Sequence, residues 1–197
     1  PLAVTGLVGM CLFVLFGGFK EKEVFTAFGD QIVPLFIGSF ILAKGMEVSG
    51  ISDRFAYFIL SKRWASGSAS RLLFSLGWIS CLISLFVSNT ATTAMLMPIG
   101  VSMLAALGVA DKGSKYGTAV MLMLTWGSSV AVGFPIGTPP NLIGLTNIET
   151  ATGHRISFIE WMGFAMPITV VMAFFCWLVL WRMFGKDAPH TEDAIDA

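Results

Sequence analysis

Charged side chains are scarce in this sequence. Asp, Glu, Lys and Arg make up 12% of its 197 residues, against 55% hydrophobic residues, and the opposite charges cancel to a net charge of zero. Without a basic stripe or a run of like charge, the sequence gives no indication of nucleic-acid binding. Three cysteines are present, all within apolar runs, which favours packed thiols over a disulfide framework or a metal cluster.

Residues that could carry enzyme chemistry are equally sparse. The sequence has two histidines, His154 and His190, and both fall in polar segments. It contains no His-Glu-x-x-His, Gly-x-Ser-x-Gly or phosphate-binding glycine motif. Because neither a nucleophile with a neighbouring base nor a metal site is indicated, we predict that the protein is not an enzyme.

Uncharged apolar runs dominate instead, and the mean hydropathy is +0.80. Several runs are long enough to cross a bilayer, so the sequence predicts an all-α, multi-pass integral membrane protein surrounded by lipid, and we expect it in the plasma (inner) membrane. The simplest crossings are residues 2–19, 32–52 and 161–181. Basic residues outnumber acidic ones in loops 53–71 and 111–115, which predicts that both loops are cytoplasmic.

The central run, Leu72 to Ala110, has no charge but is interrupted by the polar cluster Ser88-Asn89-Thr90-Ala91-Thr92-Thr93. Each apolar arm beside this cluster reaches only about 24–26 Å as a helix, less than the ~30 Å hydrocarbon core. A polar tip inside a membrane is tolerated where its backbone groups line a cavity or meet protein partners. We therefore predict a re-entrant helical hairpin over residues 72–110, with its polar tip within the membrane.

The next uncharged run, residues 116–148, contains a second break. Its residues Gly133 to Asn141 read Gly-Phe-Pro-Ile-Gly-Thr-Pro-Pro-Asn. This segment is not expected to be regular helix, because each proline lacks an N–H group and the glycines permit unusual dihedral angles. The pattern predicts a broken helix in which some backbone carbonyls lack helical partners.

These features divide the chain into four parts. Residues 1–71 are interpreted as a scaffold part, with transmembrane helices and an interfacial amphipathic helix near residues 51–60. Residues 72–148 hold the hairpin and the broken helix and are interpreted as a transport part, because broken helices of this kind build the binding sites of membrane transporters. A loop and the final transmembrane helix are predicted over residues 149–181, and residues 182–197 are predicted to be a cytoplasmic polar tail or an inter-repeat linker, that is, a connection to a second repeat of this arrangement.

The two breaks supply groups that a transport site needs. Hydroxyl, amide and carbonyl oxygens suit a small hard cation such as sodium, and Ser84 lies one turn before the tip on the same helix face. The N–H groups of the helix that restarts after the tip, with the Asn89 amide and the Thr90 hydroxyl, suit a carboxylate or another oxyanion. Small polar residues also pack membrane helices, and for Ser80, Ser84 or Ser128 taken singly packing is the favoured interpretation. The presence of two separate breaks, each of several polar or helix-breaking residues, nevertheless favours a transport site over simple helix packing.

Two motifs in order also carry a resemblance to a known family. The first is Ser-Asn-Thr-Ala-Thr-Thr-Ala-Met at residues 88–95, followed by Met-Pro-Ile at 97–99, and the second is Gly-Thr-Pro-Pro-Asn-Leu-Ile-Gly at 137–144. They resemble the divalent anion/sodium symporter family, the INDY-like carriers of di- and tricarboxylates and sulfate, and the resemblance covers nearly the whole chain. It implies an elevator-type secondary transporter, usually a homodimer, in which the Ser-Asn-Thr tips of two inverted repeats meet at the substrate.

The resemblance also implies roles for individual residues. One sodium ion would be bound by Ser84, Ser88, Asn89 and Gly137. The substrate would be contacted by Asn89, Thr90 and Pro139. Family members have two repeats, whereas this sequence has a single Ser-Asn-Thr triplet, so the chain corresponds to the N-terminal repeat. A second inverted repeat, from the same full-length chain or from another chain, would complete the site.

The function predicted in this way is sodium-coupled symport of a small divalent anion by alternating access. A C4-dicarboxylate is the first choice of substrate, and sulfate or a tricarboxylate is an alternative. A structural or channel-like membrane subunit is a second possibility, which sodium-dependent uptake would distinguish. A related ion transporter or antiporter is a third, and it is distinguished by whether a carboxylate or a proton moves.

Overall fold

A computed structural model of the chain describes residues 2–29, 32–51, 54, 58, 67–110 and 113–189. All regular elements within these residues are helical, which confirms the predicted all-α class. The chain divides into two compact units, Pro1–Gly38 and Ser39–Ala197. The predicted interfacial helix near residues 51–60 lies mostly outside the described residues, as does the end of the predicted tail after residue 189.

The described α-helices differ widely in length. In chain order they are α1 (Leu2–Phe16), α2 (Glu21–Phe25), α3 (Ile32–Val48), α4 (Ala69–Ser84), α5 (Asn89–Ala106), α6 (Lys115–Ser129), α7 (Pro139–Thr152) and α8 (Phe158–Phe184). Short 3-10 segments are found at Thr26–Gly29, Pro135–Gly137 and Gly185–Asp187.

The helices at the start of the chain are shorter than the crossings predicted for residues 2–19 and 32–52. Helix α1 has 15 residues and α3 has 17, or about 22 and 25 Å, against a hydrocarbon core of ~30 Å. Glycines in the left-handed region follow both helices, since Gly18 has φ 70° and Gly50 has φ 66°. Among the described residues, one helix, Phe158–Asp187, is long and apolar enough to cross a membrane by length and composition, with a mean hydropathy of 2.2 over an 18-residue stretch.

The second unit is built around α4, which packs mainly against α6. These two helices run in the same direction. At the amino ends of the two helices, the Tyr116 hydroxyl donates to the Ala69 carbonyl (2.7 Å). Closer to their carboxyl ends, the Ser80 hydroxyl donates to the Leu124 carbonyl (2.6 Å). Consequently the carboxyl ends of α4 and α6 lie at the same end of the bundle.

Helices α5 and α8 run antiparallel to this central pair. The start of α5 meets the end of α6, where the Thr93 and Ser128 hydroxyls are 3.0 Å apart. The end of α8 meets the start of α4, where Trp177 Nε1 donates to the Ser70 carbonyl (3.1 Å). The amino end of α5 therefore lies beside the carboxyl ends of α4 and α6.

Helices α4 and α5 are joined by a short turn, as predicted, but the turn itself is apolar. It consists of Leu85, Phe86 and Val87. The Ser88 hydroxyl oxygen then caps α5 by accepting a hydrogen bond from the Ala91 N–H (3.3 Å), as serine commonly does at this position. The prediction that residues 88–93 form the tip is therefore wrong in detail, because residues 89–93 belong to the first turns of α5.

The second break is present between α6 and α7, and it is shorter than predicted. Helix α6 ends at Ser129, and α7 begins at Pro139. The prediction that residues 139–141 are not helical is wrong, because a proline at the first helical position loses no hydrogen bond: that N–H would have no partner inside the helix. The irregular segment therefore comprises residues 130–138, including a 3-10 turn at Pro135–Gly137.

The polar segment predicted as a loop over residues 149–160 is partly helical. Helix α7 continues to Thr152 and ends at Gly153, which has φ 70°. Helix α8 begins with a capping box, in which the Ser157 N–H donates to Glu160 Oε2 (2.6 Å) and the Glu160 N–H donates to the Ser157 hydroxyl (3.3 Å). The loop proper is thus limited to residues 153–157.

Candidate functional site

Four helix ends meet in the second unit. The carboxyl ends of α4 and α6 and the amino ends of α5 and α7 come together around the two breaks, and the rings of Phe86 and Phe134 connect the breaks with centroids 5.0 Å apart. Helix carboxyl ends carry partial negative charge and amino ends partial positive charge. Because residues 72–110 and 116–148 contain no ionisable acid or base other than cysteine and tyrosine, these dipoles supply the fixed polarity of the region.

The structure brings Ser84 and Asn89 together across the apolar turn. Ser84 is buried at the end of α4, and its hydroxyl donates to Asn89 Oδ1 at 2.9 Å. Because the Asn89 oxygen accepts this hydrogen bond, the amide nitrogen and its two N–H donors are directed to other groups. Among the described residues, no hydrogen-bond partner of that nitrogen is present. The Ser84–Asn89 pair thus offers oxygen lone pairs on one side and amide N–H donors on the other.

Gly137 lies against the ends of both central helices. A Cβ atom built on Gly137 would lie 3.0 Å from the Leu85 carbonyl oxygen, 3.2 Å from that of Ser84 and 3.4 Å from that of Ala131. Three backbone oxygens from two helix ends therefore converge on this glycine, and any larger residue would contact them closely. Carbonyls at helix ends lack helical partners and are available to a cation.

The remaining predicted sodium ligand, Ser88, has a local structural role. Its hydroxyl oxygen accepts the Ala91 N–H and is only partly buried. A hydroxyl oxygen has a second lone pair, so this capping role leaves room for one further interaction. Ser88 is adjacent to Asn89 in the chain and lies at the same end of the bundle.

Asn89 and Thr90 line an open cavity of about 320 Å³ between α5 and α6. Thr93 and Ala94 continue its α5 side. Pro139, the third predicted substrate contact, is exposed at the start of α7 and is not among the residues that line this cavity. Two of the three predicted substrate contacts thus share a cavity, and the third stands at a neighbouring helix end.

The opposite wall of the cavity was not predicted as a site. It consists of Thr125, Ser128 and Ser129 of α6. The Ser128 hydroxyl donates to the Thr125 carbonyl at 2.8 Å and lies 3.0 Å from the Thr93 hydroxyl, which joins α6 to α5. Spacings of three and four residues place these hydroxyls on one helix face, and this polar patch in an apolar run was the available sequence signal.

Asn141 has a structural role that the sequence alone did not indicate. It is buried at the start of α7, and its amide nitrogen donates to the carbonyls of Phe134 (3.0 Å) and Val132 (3.4 Å). The Val132 carbonyl also accepts the indole N–H of Trp161 (3.0 Å). These bonds hold the irregular segment 130–138 in position beside Gly137.

Comparisons with known proteins agree with the motif pattern. The chain matches the family model described as citrate transporter over residues 1–196. It is similar to the sodium-dependent dicarboxylate transporter SdcS of Staphylococcus saprophyticus, with 30% identity over 207 residues that cover 99% of this chain and 40% of SdcS. The sodium-dependent high-affinity dicarboxylate transporter 3 of Caenorhabditis elegans is 28% identical over 211 residues, which cover 99% of this chain and 37% of the relative. The chain therefore spans about 40% of the length of these relatives.

Proposed function

Because the chain belongs to the citrate transporter family, we propose that it forms the N-terminal repeat of a sodium-coupled symporter of small dicarboxylates. Membership of this family confirms the prediction of a transporter rather than an enzyme, and a transporter is an integral membrane protein. The relatives named as sodium-dependent dicarboxylate transporters support sodium as the coupling ion and a dicarboxylate as the substrate. A C4-dicarboxylate remains our first choice.

The observation that carries this proposal is the meeting of Ser84, Asn89 and Gly137 at two helix carboxyl ends. Sodium prefers several oxygen ligands, and here hydroxyl, amide and carbonyl oxygens lie together without a permanent charge. The partial negative charges at the ends of α4 and α6 would stabilise the cation. We propose that sodium binds to these three residues and to Ser88.

The substrate carboxylate would bind on the other side of Asn89. The amide donors of Asn89, the Thr90 hydroxyl and the amino end of α5 all suit an anion. The cavity of about 320 Å³ that Asn89 and Thr90 line is at the small end of the range for ligand pockets, which suits a compact ligand. Pro139 would contact the substrate from α7.

Sodium and the carboxylate would then occupy neighbouring positions that share Asn89. Each ion offsets the charge of the other in a region with no ionised side chain, so binding of one favours binding of the other. If the anion binds tightly only when sodium is bound, the movement of sodium down its concentration gradient can drive the anion up its own gradient. This dependence is the basis of symport.

The remaining parts of the proposal concern the whole transporter. A second inverted repeat would supply a second tip opposite Asn89 and Thr90. The α4–α5 hairpin would enter the membrane without crossing it, and the site would move between the two sides by an elevator-type motion. We propose that the transporter is a homodimer, as the resemblance implies, and that it lies in the plasma (inner) membrane.

The test uses the native protein, as expressed from its own gene, reconstituted into liposomes. A sodium gradient should drive uptake of labelled succinate, and an equal potassium gradient should not. Asn89→Ala should reduce sodium-driven uptake roughly tenfold to a hundredfold, since hydrogen bonds to charged groups contribute about 1.5–3 kcal/mol.

The matched control is Asn147→Ala, because Asn147 is exposed on α7 away from the cavity. That variant should transport as the wild type does. Normal sodium-driven uptake by Asn89→Ala would show that the site assignment is wrong. Absence of uptake by the wild type would contradict the proposed function itself.

A further inference from the structure

The α6 wall of the cavity has a hydrogen-bonding character of its own. Besides Thr90, four residues line the cavity with hydroxyl groups: Thr125, Ser128 and Ser129 of α6, and Thr93 of α5, which faces them. Three of them donate to backbone carbonyls within α6: Thr125 to Met121 (3.1 Å), and Ser128 and Ser129 to Thr125 (2.8 Å each). A hydroxyl has one proton, so these groups have none left for a ligand.

The Thr93 hydroxyl also has no proton left for a ligand. Thr93 and Ser128 are 3.0 Å apart, and Ser128 already donates to the Thr125 carbonyl. Thr93 must therefore be the donor in the pair. This wall consequently offers oxygen lone pairs and no donor, whereas the Asn89 side of the cavity offers amide donors.

We infer that this wall, which we call the acceptor wall (Thr125, Ser128 and Ser129), binds a hydrogen-bond donor on the substrate. The inference rests on the proposed function. A carboxylate has only lone pairs and would be repelled by the wall, so it binds on the Asn89 side. A substrate hydroxyl can donate to the wall while its carboxylate remains at Asn89. The favoured substrate class is therefore a hydroxy-dicarboxylate rather than an unsubstituted one.

Thr125 and Ser129 are the residues suited to this contact. Both are exposed to the cavity, and each keeps two free lone pairs after donating to the backbone. Ser128 is buried and already accepts the Thr93 proton, so its main effect is to fix α6 against α5. Replacing Thr125 by valine or Ser129 by alanine removes an acceptor with little change in shape.

The experiment compares two competitors of labelled succinate uptake in the reconstituted native protein. Malate carries one hydroxyl that succinate lacks, and the readout is the ratio of their inhibition constants within each variant. In the wild type we expect malate to inhibit roughly three- to tenfold more strongly, the value of one added hydrogen bond. In Thr125→Val, and separately in Ser129→Ala, the ratio should fall towards one.

The matched control is Thr118→Val. Thr118 is an exposed threonine of the same helix that donates in the same way, to the Ser114 carbonyl at 3.1 Å, and it does not line this cavity. The ratio of the malate and succinate inhibition constants in Thr118→Val should equal that of the wild type. Equal inhibition by malate and succinate in the wild type, or an unchanged ratio in both wall variants, would overturn the acceptor wall while leaving dicarboxylate transport intact. A wild-type protein that takes up no labelled succinate in a sodium gradient would instead overturn the proposed function.

Discussion

At the scale of single residues, Gly137 is where the proposed sodium site is most sensitive. A methyl group there would lie 3.0 and 3.2 Å from the carbonyl oxygens of Leu85 and Ser84, closer than ordinary contacts. Since both are backbone atoms, the ends of the helices must shift to admit it. We expect Gly137→Ala to raise the sodium concentration for half-maximal uptake roughly tenfold, a loss of about 1.4 kcal/mol.

Gly144→Ala is the control for this substitution. Gly144 belongs to α7, and a Cβ at this position meets no atom within 4 Å. Alanine also favours a helix over glycine, so the control should keep its sodium dependence. If both variants required the same sodium concentration as the wild type, Gly137 would not belong to the sodium site.

Single residues also show where sequence reasoning succeeds and where it stops. Ser84 and Asn89 could be singled out because polar residues are conspicuous in an uncharged apolar run. Their hydrogen bond depends on the geometry of the apolar turn between them, and the meeting of Ser84 with Gly137 depends on how the two breaks pack together. The acceptor wall was missed because Ser128 taken singly resembles a packing residue, and its partner Thr93 is 35 positions away in the chain.

At the scale of helices, the crossing of α4 and α6 determines how the site is held. A Cβ on Gly127 would lie 2.7 Å from the Gly77 carbonyl oxygen and 3.2 Å from both Gly77 Cα and Ser80 Cβ. The helices approach this closely because neither crossing residue has a side chain. Gly127→Ala should therefore separate α4 from α6 and destabilise the fold by about 1–3 kcal/mol.

The measurement is the melting temperature of the purified protein, followed by tryptophan fluorescence. Gly127→Ala should melt several degrees below the wild type, as expected for a loss of this size. Gly163→Ala in α8 is the control, because its Cβ would meet nothing within 4 Å. Equal melting temperatures for the Gly127 variant and the wild type would show that the two helices can separate without cost.

The positions of both breaks were predictable, but the limits of the helices were not. Charge-free runs interrupted by several polar or helix-breaking residues indicated both breaks. The limits depend on local capping: Ser88 caps α5, and Pro139 is accommodated as the first residue of α7. The sequence pattern overestimated both irregular segments, because it counted polar cap and first-turn residues as non-helical.

At the scale of the whole molecule, the sequence predicts the all-helical class and the family, because both depend on long patterns rather than on individual contacts. The lengths of α1 and α3 were overestimated, since uncharged sequence continues past the glycines that follow them. The proposed second tip is a property of the whole transporter, and the chain spans about 40% of its relatives. The open side of the cavity at Asn89 and Thr90 is where we expect that tip.

The proposed neighbouring positions of sodium and substrate require that the two stabilise each other. If both share Asn89, sodium should increase the affinity of the native protein for succinate, and succinate should increase its affinity for sodium by the same factor. Each ligand should also stabilise the folded protein by mass action, by about 2.7 kcal/mol at a concentration one hundred times its dissociation constant. The melting temperature should rise accordingly.

Calorimetric titration of the detergent-solubilised native protein measures this coupling in both directions. Potassium at the same ionic strength is the control, because screening of surface charges is equal for the two salts. We expect at least a tenfold increase in succinate affinity with sodium, about 1.4 kcal/mol of coupling, and a clear loss of that increase in Gly137→Ala. Succinate binding that is equally tight in sodium and in potassium would contradict a shared site, because two ions that both contact Asn89 cannot bind independently.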